Sequence, residues 1–462
     1  MKQHYSGLSW LALLLLVAGL ASCSTSSSDD SEYTQAAYVS NVTLGSLRCL
    51  RHATTDSGAD SLYYASIVGS LYPMHIDQAA GRIYNADSLP VGTDAQKVVF
   101  TDFSYVGATM TIKSLTTGND TAFVLTDSTD FSAPRTVTVY AFTEEGYVER
   151  PYKVEINVHQ QNGEEYAWPV AATVPELAAL SNVKAALCGS TLAIFGMEGA
   201  VPVVLTAQAT SSPEWMRTPL GATDINVESV VAMGTQYYAL SSSGNLQTST
   251  DAVNWTAATA PVPFEALAVV GNQMLAVSEG KLYASSDGST WEEQPLDEDA
   301  PLPNSPLAVV SLPSRTNSNY TCLVLAGLSG GEAAVWKRDV DQKGINIFDW
   351  NYLPQNSDVA KPYPVSLAHT SLIAYDGEVR LYGLNAEGGL EQPYASNDYG
   401  RQWTQAGNML PAQADAANSL SVLVDGENYI WICCGGSGQV WRGRPYKMGW
   451  DNMPAVYKKP RK

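Results

Sequence analysis

The sequence predicts an all-β chain in two parts, a small sandwich followed by several four-stranded units of one kind. Three observations carry this. Short alternating apolar runs rich in Val, Thr and Tyr fill the chain, and long helix-period segments are missing. One turn pattern recurs: Ser396, Asp398, Gly400 and Trp403 spell S-x-D-x-G-x-x-W, shortened in Ser285, Asp287, Gly288 and Trp291 and looser in Ser249, Asp251 and Trp255. Finally, Trp215, Trp255, Trp291, Trp350, Trp403 and Trp450 follow one another at spacings of 40, 36, 59, 53 and 47 residues.

Leu8 to Leu20 is an apolar run too short for a comfortable membrane span and of signal-peptide length. It ends in Leu20-Ala-Ser-Cys23, which resembles a bacterial lipobox, so residues 1–22 are expected to be removed and Cys23 acylated. Residues 23–37 form a polar tether with little to bury. Cleavage takes away Lys2 and no acid, leaving 25 basic against 46 acidic side chains, a net of −21. Such a charge disfavours nucleic acid as a partner. The expected location is the outer membrane, on either side of it, held by the acyl chain.

Residues 38–160 contain strand-like runs at 40–50, 62–70, 97–103, 108–114 and 121–126. A clear hairpin follows, Thr136–Phe142 and Tyr152–Val158 about the turn at Gly146. Some seven short strands in this length fit an immunoglobulin-like sandwich. The segment from Asp130 to Phe142 resembles the closing hairpin of bacterial cadherin-like domains. Residues 161–171 are a linker or, through Glu165–Val170, a ring-closing strand.

From 172 to 456, hairpin turns recur between apolar strands at Gly189-Ser190, Gly234-Thr235, Gly271-Asn272, Asp376-Gly377 and Asp425-Gly426. A sixth, longer copy spans 308–325. Four strands in about 47 residues make a propeller blade, and six blades fit the count, with seven as the alternative. Residues 457–462 are a basic tail. In the S-x-D turns, Ser and Asp bond the turn backbone, Gly supplies positive φ, and Trp fills a gap between sheets. These turns resemble the Asp boxes of BNR-type propellers, a group that includes sialidases, sortilin-like receptors and exported bacterial proteins. Lipobox, sandwich and propeller together resemble an uncharacterised family of Bacteroidetes outer-membrane lipoproteins.

The six cysteines show no metal-ligand spacing, and the scattered histidines do not pair. No metal, cofactor or catalytic residue is expected. A sialidase would need a Tyr nucleophile with its Glu, an Asp acid and three carboxylate-binding arginines, and arginine is scarce here. The expected function is therefore non-enzymatic binding or scaffolding, of an envelope protein or glycan; a glycosidase or lyase is the alternative. Loops between second and third strands carry Glu198, Glu279, Glu332 and Glu387, expected to form an acidic rim around the channel mouth opposite the Asp boxes.

Overall fold

A computed structural model of the chain describes residues 36–54, 60–221, 224–304, 306–343, 348–407, 409–412 and 414–451. Cys23 and the basic tail lie outside these residues. Two compact units divide at Val158 and His159.

The first unit is built on one apolar core that includes Val42, Phe100, Phe103, Phe131, Val137 and Tyr152. The hairpin Arg135–Thr143 and Gly146–Glu155 is its longest pairing in the largest sheet. The expected single strand over 40–50 is two, Tyr38–Leu44 and Ser46–Thr54, broken at Gly45. A Cβ at Gly45 would lie 3.2 Å from the Val99 carbonyl oxygen, so the chain turns there against a neighbouring backbone. Sequence reading also passed over Met74–Asp77 and Arg82–Asn85, the latter parallel to the C-terminal strand. Each is only four residues long and alternates half-exposed positions, leaving little apolar signal.

Among the described residues, the second unit holds six four-stranded antiparallel sheets. Their first strands are Ser181–Cys188, Ile225–Met233, Ala266–Val270, Leu307–Pro313, Ala368–Tyr375 and Ser419–Val424. Each first strand neighbours the next, and the sixth neighbours the first, so the sheets close into a ring. Numbering the sheets one to six, the insertion at 311–320 is the loop of a long hairpin in sheet four. Sheet six takes its fourth strand from upstream: Tyr166–Thr173 pairs antiparallel with Gln439–Pro445.

The tryptophans pack between adjacent sheets. Trp255 lies 6.0 Å from Phe195 of sheet one, and Trp403 is buried among Val324 and Val335 of sheet four. Trp450 departs from the expected series and stacks on His159 at 3.4 Å. Because the fourth strand of sheet six comes from upstream, Trp168 fills the gap between sheets five and six instead.

The three S-x-D turns share one hydrogen-bond plan. Ser249, Ser285 and Ser396 are buried and donate to Asp251, Asp287 and Asp398 at 3.0, 3.1 and 2.9 Å. Each aspartate accepts backbone N–H groups further on, from Val253 and Asn254, Ser289 and Thr290, and Gln402. Gly288 has φ +75°, and in the looser copy Ala252 holds φ +66° without the freedom of glycine. At the equivalent of these turns' opposite strand pair, Asp425-Gly426 is not a two-residue turn. Five residues, Asp425–Tyr429, close it, with Asn428 in the left-handed region.

Ring closure is locked by buried charge. Lys447 Nζ donates to Glu164 at 2.8 Å and to Asp376 of sheet five at 2.7 Å. Arg380, also buried, donates to Tyr166 of the closing strand and lies 3.8 Å from Asp376. In sheet six, buried Arg442 bonds Asp425 at 3.0 Å and sits 3.6 Å from the Tyr429 ring centre.

Two outcomes follow for stability. Lys447→Met removes the cation between Glu164 and Asp376. It should cost roughly 2–3 kcal/mol, below the ~3–5 expected of a fully buried pair because Glu164 stays largely exposed. Equilibrium urea unfolding measures this, and an unchanged midpoint would refute the lock. In the turns, the backbone N–H of Asn254 and of Thr290 hold the Asp251 and Asp287 carboxyls well below the usual range. Depressed folded-state values stabilise above the unfolded value of about 4, and that stability is lost as pH falls through the folded values. The melting temperature of wild type should therefore fall more steeply below about pH 4 than that of the Asp251→Asn, Asp287→Asn double variant. Parallel curves would contradict the assignment.

Candidate functional site

The first strand of each sheet in the ring has one edge paired to its own sheet and the other turned toward the axis. Backbone groups on such an edge need partners. Serines of neighbouring sheets supply some: Ala185 N donates to Ser421 Oγ at 2.9 Å, and Val422 N to Ser371 Oγ at 3.0 Å. The remaining edge groups face an axial channel. Its wide part is a cavity of about 930 Å³, continuing into a narrower throat of about 210 Å³. The wide part is lined by second-to-third strand turns, Ser241–Gly244 and Ser278-Glu279, and by the starts of the first strands. It therefore opens on the face opposite the S-x-D turns.

Three first strands carry register shifts at this end: Ser181 to Lys184, Asn226 to Val231, and Ala368 to Ser371. A bulge of this kind re-aims side chains. These three strands are the ones that bring Lys184, Glu228 and His369 to the cavity. His369 and Asn182 hold φ +48° and +54°, a left-handed conformation uncommon for side-chain-bearing residues. First strands of sheets three, four and six contribute Ala266, Leu267, Leu307, Leu420 and Ser421.

Of the four glutamates expected at the rim, only Glu279 lines the cavity. Its backbone N–H donates at 2.8 Å to Glu265, a second cavity carboxylate, which also accepts from Asn304. Glu198 is ion-paired with Arg217 of the outermost strand of its sheet. Glu332 and Glu387 are exposed and lie away from the cavity. The physical reason is radial: second-to-third strand turns stand one and two strands out from the axis, and only those of sheets two and three reach inward. Lys184, Glu228, Glu265 and His369 escaped sequence reading. The one available signal was an ionisable residue within an otherwise small and apolar first strand, as in Asn-Val-Lys184-Ala-Ala.

Lys184 lines both the wide cavity and the throat. The burial of its ammonium pushes its pKa below the ordinary lysine value, and the Glu228 carboxylate partly opposes this. No arginine or tyrosine is among the described residues lining either part. Arg380 and Arg442 are held in the buried ion pairs described above. Among the described residues, no group of three His, Cys, Asp or Glu side chains is placed to hold a metal ion. The five described cysteines are free thiols.

Competitive acetylation across alkaline pH should show Lys184 titrating below the surface lysines, and Glu228→Gln should lower it further. A Lys184 that titrates with the surface lysines would contradict this electrostatic setting.

Comparison with curated proteins finds no match. Among solved structures, YCF48 bound to D1 peptide aligns over 66% of this chain and 87% of its own, at 16% identity and a TM-score of 0.31. BamB from Moraxella catarrhalis aligns over 60% of this chain and 97% of its own, at 12% identity and a TM-score of 0.30. PorZ of Porphyromonas gingivalis, a surface component of the type-IX secretion system, aligns over 67% of this chain and 35% of its own, at 14% identity and a TM-score of 0.30. The model of the DUF6242 N-terminal domain matches residues 42–156, and that of the DUF6242 beta propeller domain matches residues 162–453. This chain belongs to the DUF6242 family, and its ring of sheets is that family's β-propeller domain.

Proposed function

We propose that this protein is a non-enzymatic binding module whose axial cavity receives a peptide segment of a partner protein. The carrying observation is the cavity itself, about 930 Å³ of polar space edged by first strands with open backbone groups. That volume is at the upper end of the range for ligand sites. Open strand edges offer alternating donors and acceptors, the pattern a peptide backbone complements. The cavity lacks a tyrosine among its described lining residues, which disfavours the sialidase nucleophile.

The six sheets are six blades, with the last completed by Tyr166–Thr173. The S-x-D turns belong to the Asp-box class and are structural. The first unit is an immunoglobulin- or cadherin-like spacer, and an acyl chain on Cys23 holds the protein at the outer membrane of a Bacteroidetes cell. The strongly acidic chain, with net charge −20, suits a protein partner with basic segments better than nucleic acid.

Plugging the cavity tests the binding site. Ser242→Trp with Asn304→Trp should abolish retention of peptides from an immobilised hexapeptide library, while Glu332→Gln with Glu387→Gln should leave it unchanged. Loss in the outer pair alone would move the site to the outer turns. Release of reducing ends from a glycan panel, lost in Glu228→Gln, would instead establish the enzymatic alternative.

A further inference from the structure

The first unit leaves one long strand edge uncovered. Ser46–Thr54 and Asp60–Val68 pair with each other, in an unbroken register from Ser46 opposite Val68 to Thr54 opposite Asp60. On the outer side of Ser46–Thr54, Leu50 N donates to Gly92 O and Asp94 N to Arg48 O, each at 2.8 Å. Those bonds set the direction of the backbone groups throughout the ribbon. Because Arg48 and Leu50 face that loop, Leu47, Cys49 and Arg51 face the other strand, opposite Ile67, Ala65 and Tyr63. The N–H and C=O groups of Leu62, Tyr64 and Ser66 therefore point outward, and among the described residues no backbone group bonds them. Protected edges are short or carry a lysine, a proline or a bulge. This one is nine residues long with none of these. One face of the ribbon exposes Leu50, Leu62, Tyr64 and Val68, and Arg48 lies over the Tyr64 ring at 4.0 Å. A two-stranded ribbon is marginal in water, and further strands stabilise it.

We propose that two copies of this chain pair through Asp60–Val68, antiparallel about a two-fold axis at Tyr64, into one continuous four-stranded sheet. Two observations select a second copy as the occupant. Tyr64 is both the midpoint of the nine-residue strand and one of its outward-facing residues. Full overlap of the two strands is therefore also a register in which they exchange hydrogen bonds. Leu62 then meets Ser66 of the second copy, and Tyr64 meets its own equivalent. The other observation is charge. Ser61–Val68 carries none, in a chain of net charge −20 whose copies otherwise repel one another.

Sedimentation velocity on the full chain across protein concentration tests this, and a reversible dimer is expected. Hydrogen exchange at the amides of Leu62, Tyr64 and Ser66 should slow as the dimer forms. Tyr63 and Ala65, already bonded within the ribbon, should exchange alike in both states. Tyr64→Pro removes an N–H that the ribbon does not use, a change that an edge strand tolerates. It should weaken dimerisation roughly ten- to hundredfold, through the bonds lost at the axis. Tyr64→Lys, which sets like charges against each other at the axis, should weaken it in the same direction. Wild type that stays monomeric at every concentration overturns the proposal, and that measurement needs no variant to fold. A dimer that both variants leave intact also overturns it, because the contact then lies elsewhere. Monomeric wild type that cosediments with phosphatidylcholine vesicles, and loses this in Tyr64→Lys, overturns it and assigns the edge to a lipid surface.

Discussion

A four-stranded sheet with two apolar faces has to bury both, and that constraint shapes the whole second unit. Each of the six sheets contributes to two cores, one with the sheet before it and one with the sheet after. The first and last sheets must therefore meet. The chain satisfies this with a strand drawn from before sheet one, and it fixes that strand with side chains as well as backbone. Tyr166 reaches Arg380, and Lys447 ties Glu164 to Asp376, so sheet five holds the seam of sheet six. Buried pairs of this sort contribute little net stability against an apolar alternative. Their use here is registry, because they connect sequence-distant segments at one geometry.

The same closure creates the site. Closing a ring turns six strand edges toward an axis, where no strand of the described residues pairs with them. Serines settle part of this backbone demand, and channel volume is left for the rest. Three bulged strands then place Lys184, Glu228 and His369 at the wide end. The opposite face is given over to turn chemistry that is satisfied within itself, since Asp251, Asp287 and Asp398 spend their oxygens on nearby serines and backbone. The self-satisfied turns and the axial cavity thus lie on opposite faces.

How much was legible in the sequence follows from which interactions are local. The S-x-D turns were readable because the hydrogen bonds of their serine and aspartate side chains join residues a few positions apart. The hairpin turns at Gly189, Gly234 and Gly271 were readable because positive φ selects glycine. Trp450 was misplaced in the series because the strand swap at the seam puts Trp168 in its role, a fact set by ring geometry. The cavity was hidden for a similar reason. Its residues come from all six sheets and meet only at the axis, and the bulges that expose Lys184 and His369 leave no motif. The glutamates beside glycines in the turns were conspicuous in sequence, yet radius from the axis removes three of the four from the cavity.

The most direct test of the axial site is a crystal structure of the chain with a peptide selected from the hexapeptide library. The account requires peptide density within the axial cavity, against the first strands that line it. Peptide density on the outer turns around Glu332 and Glu387, with the cavity holding only solvent, would contradict it.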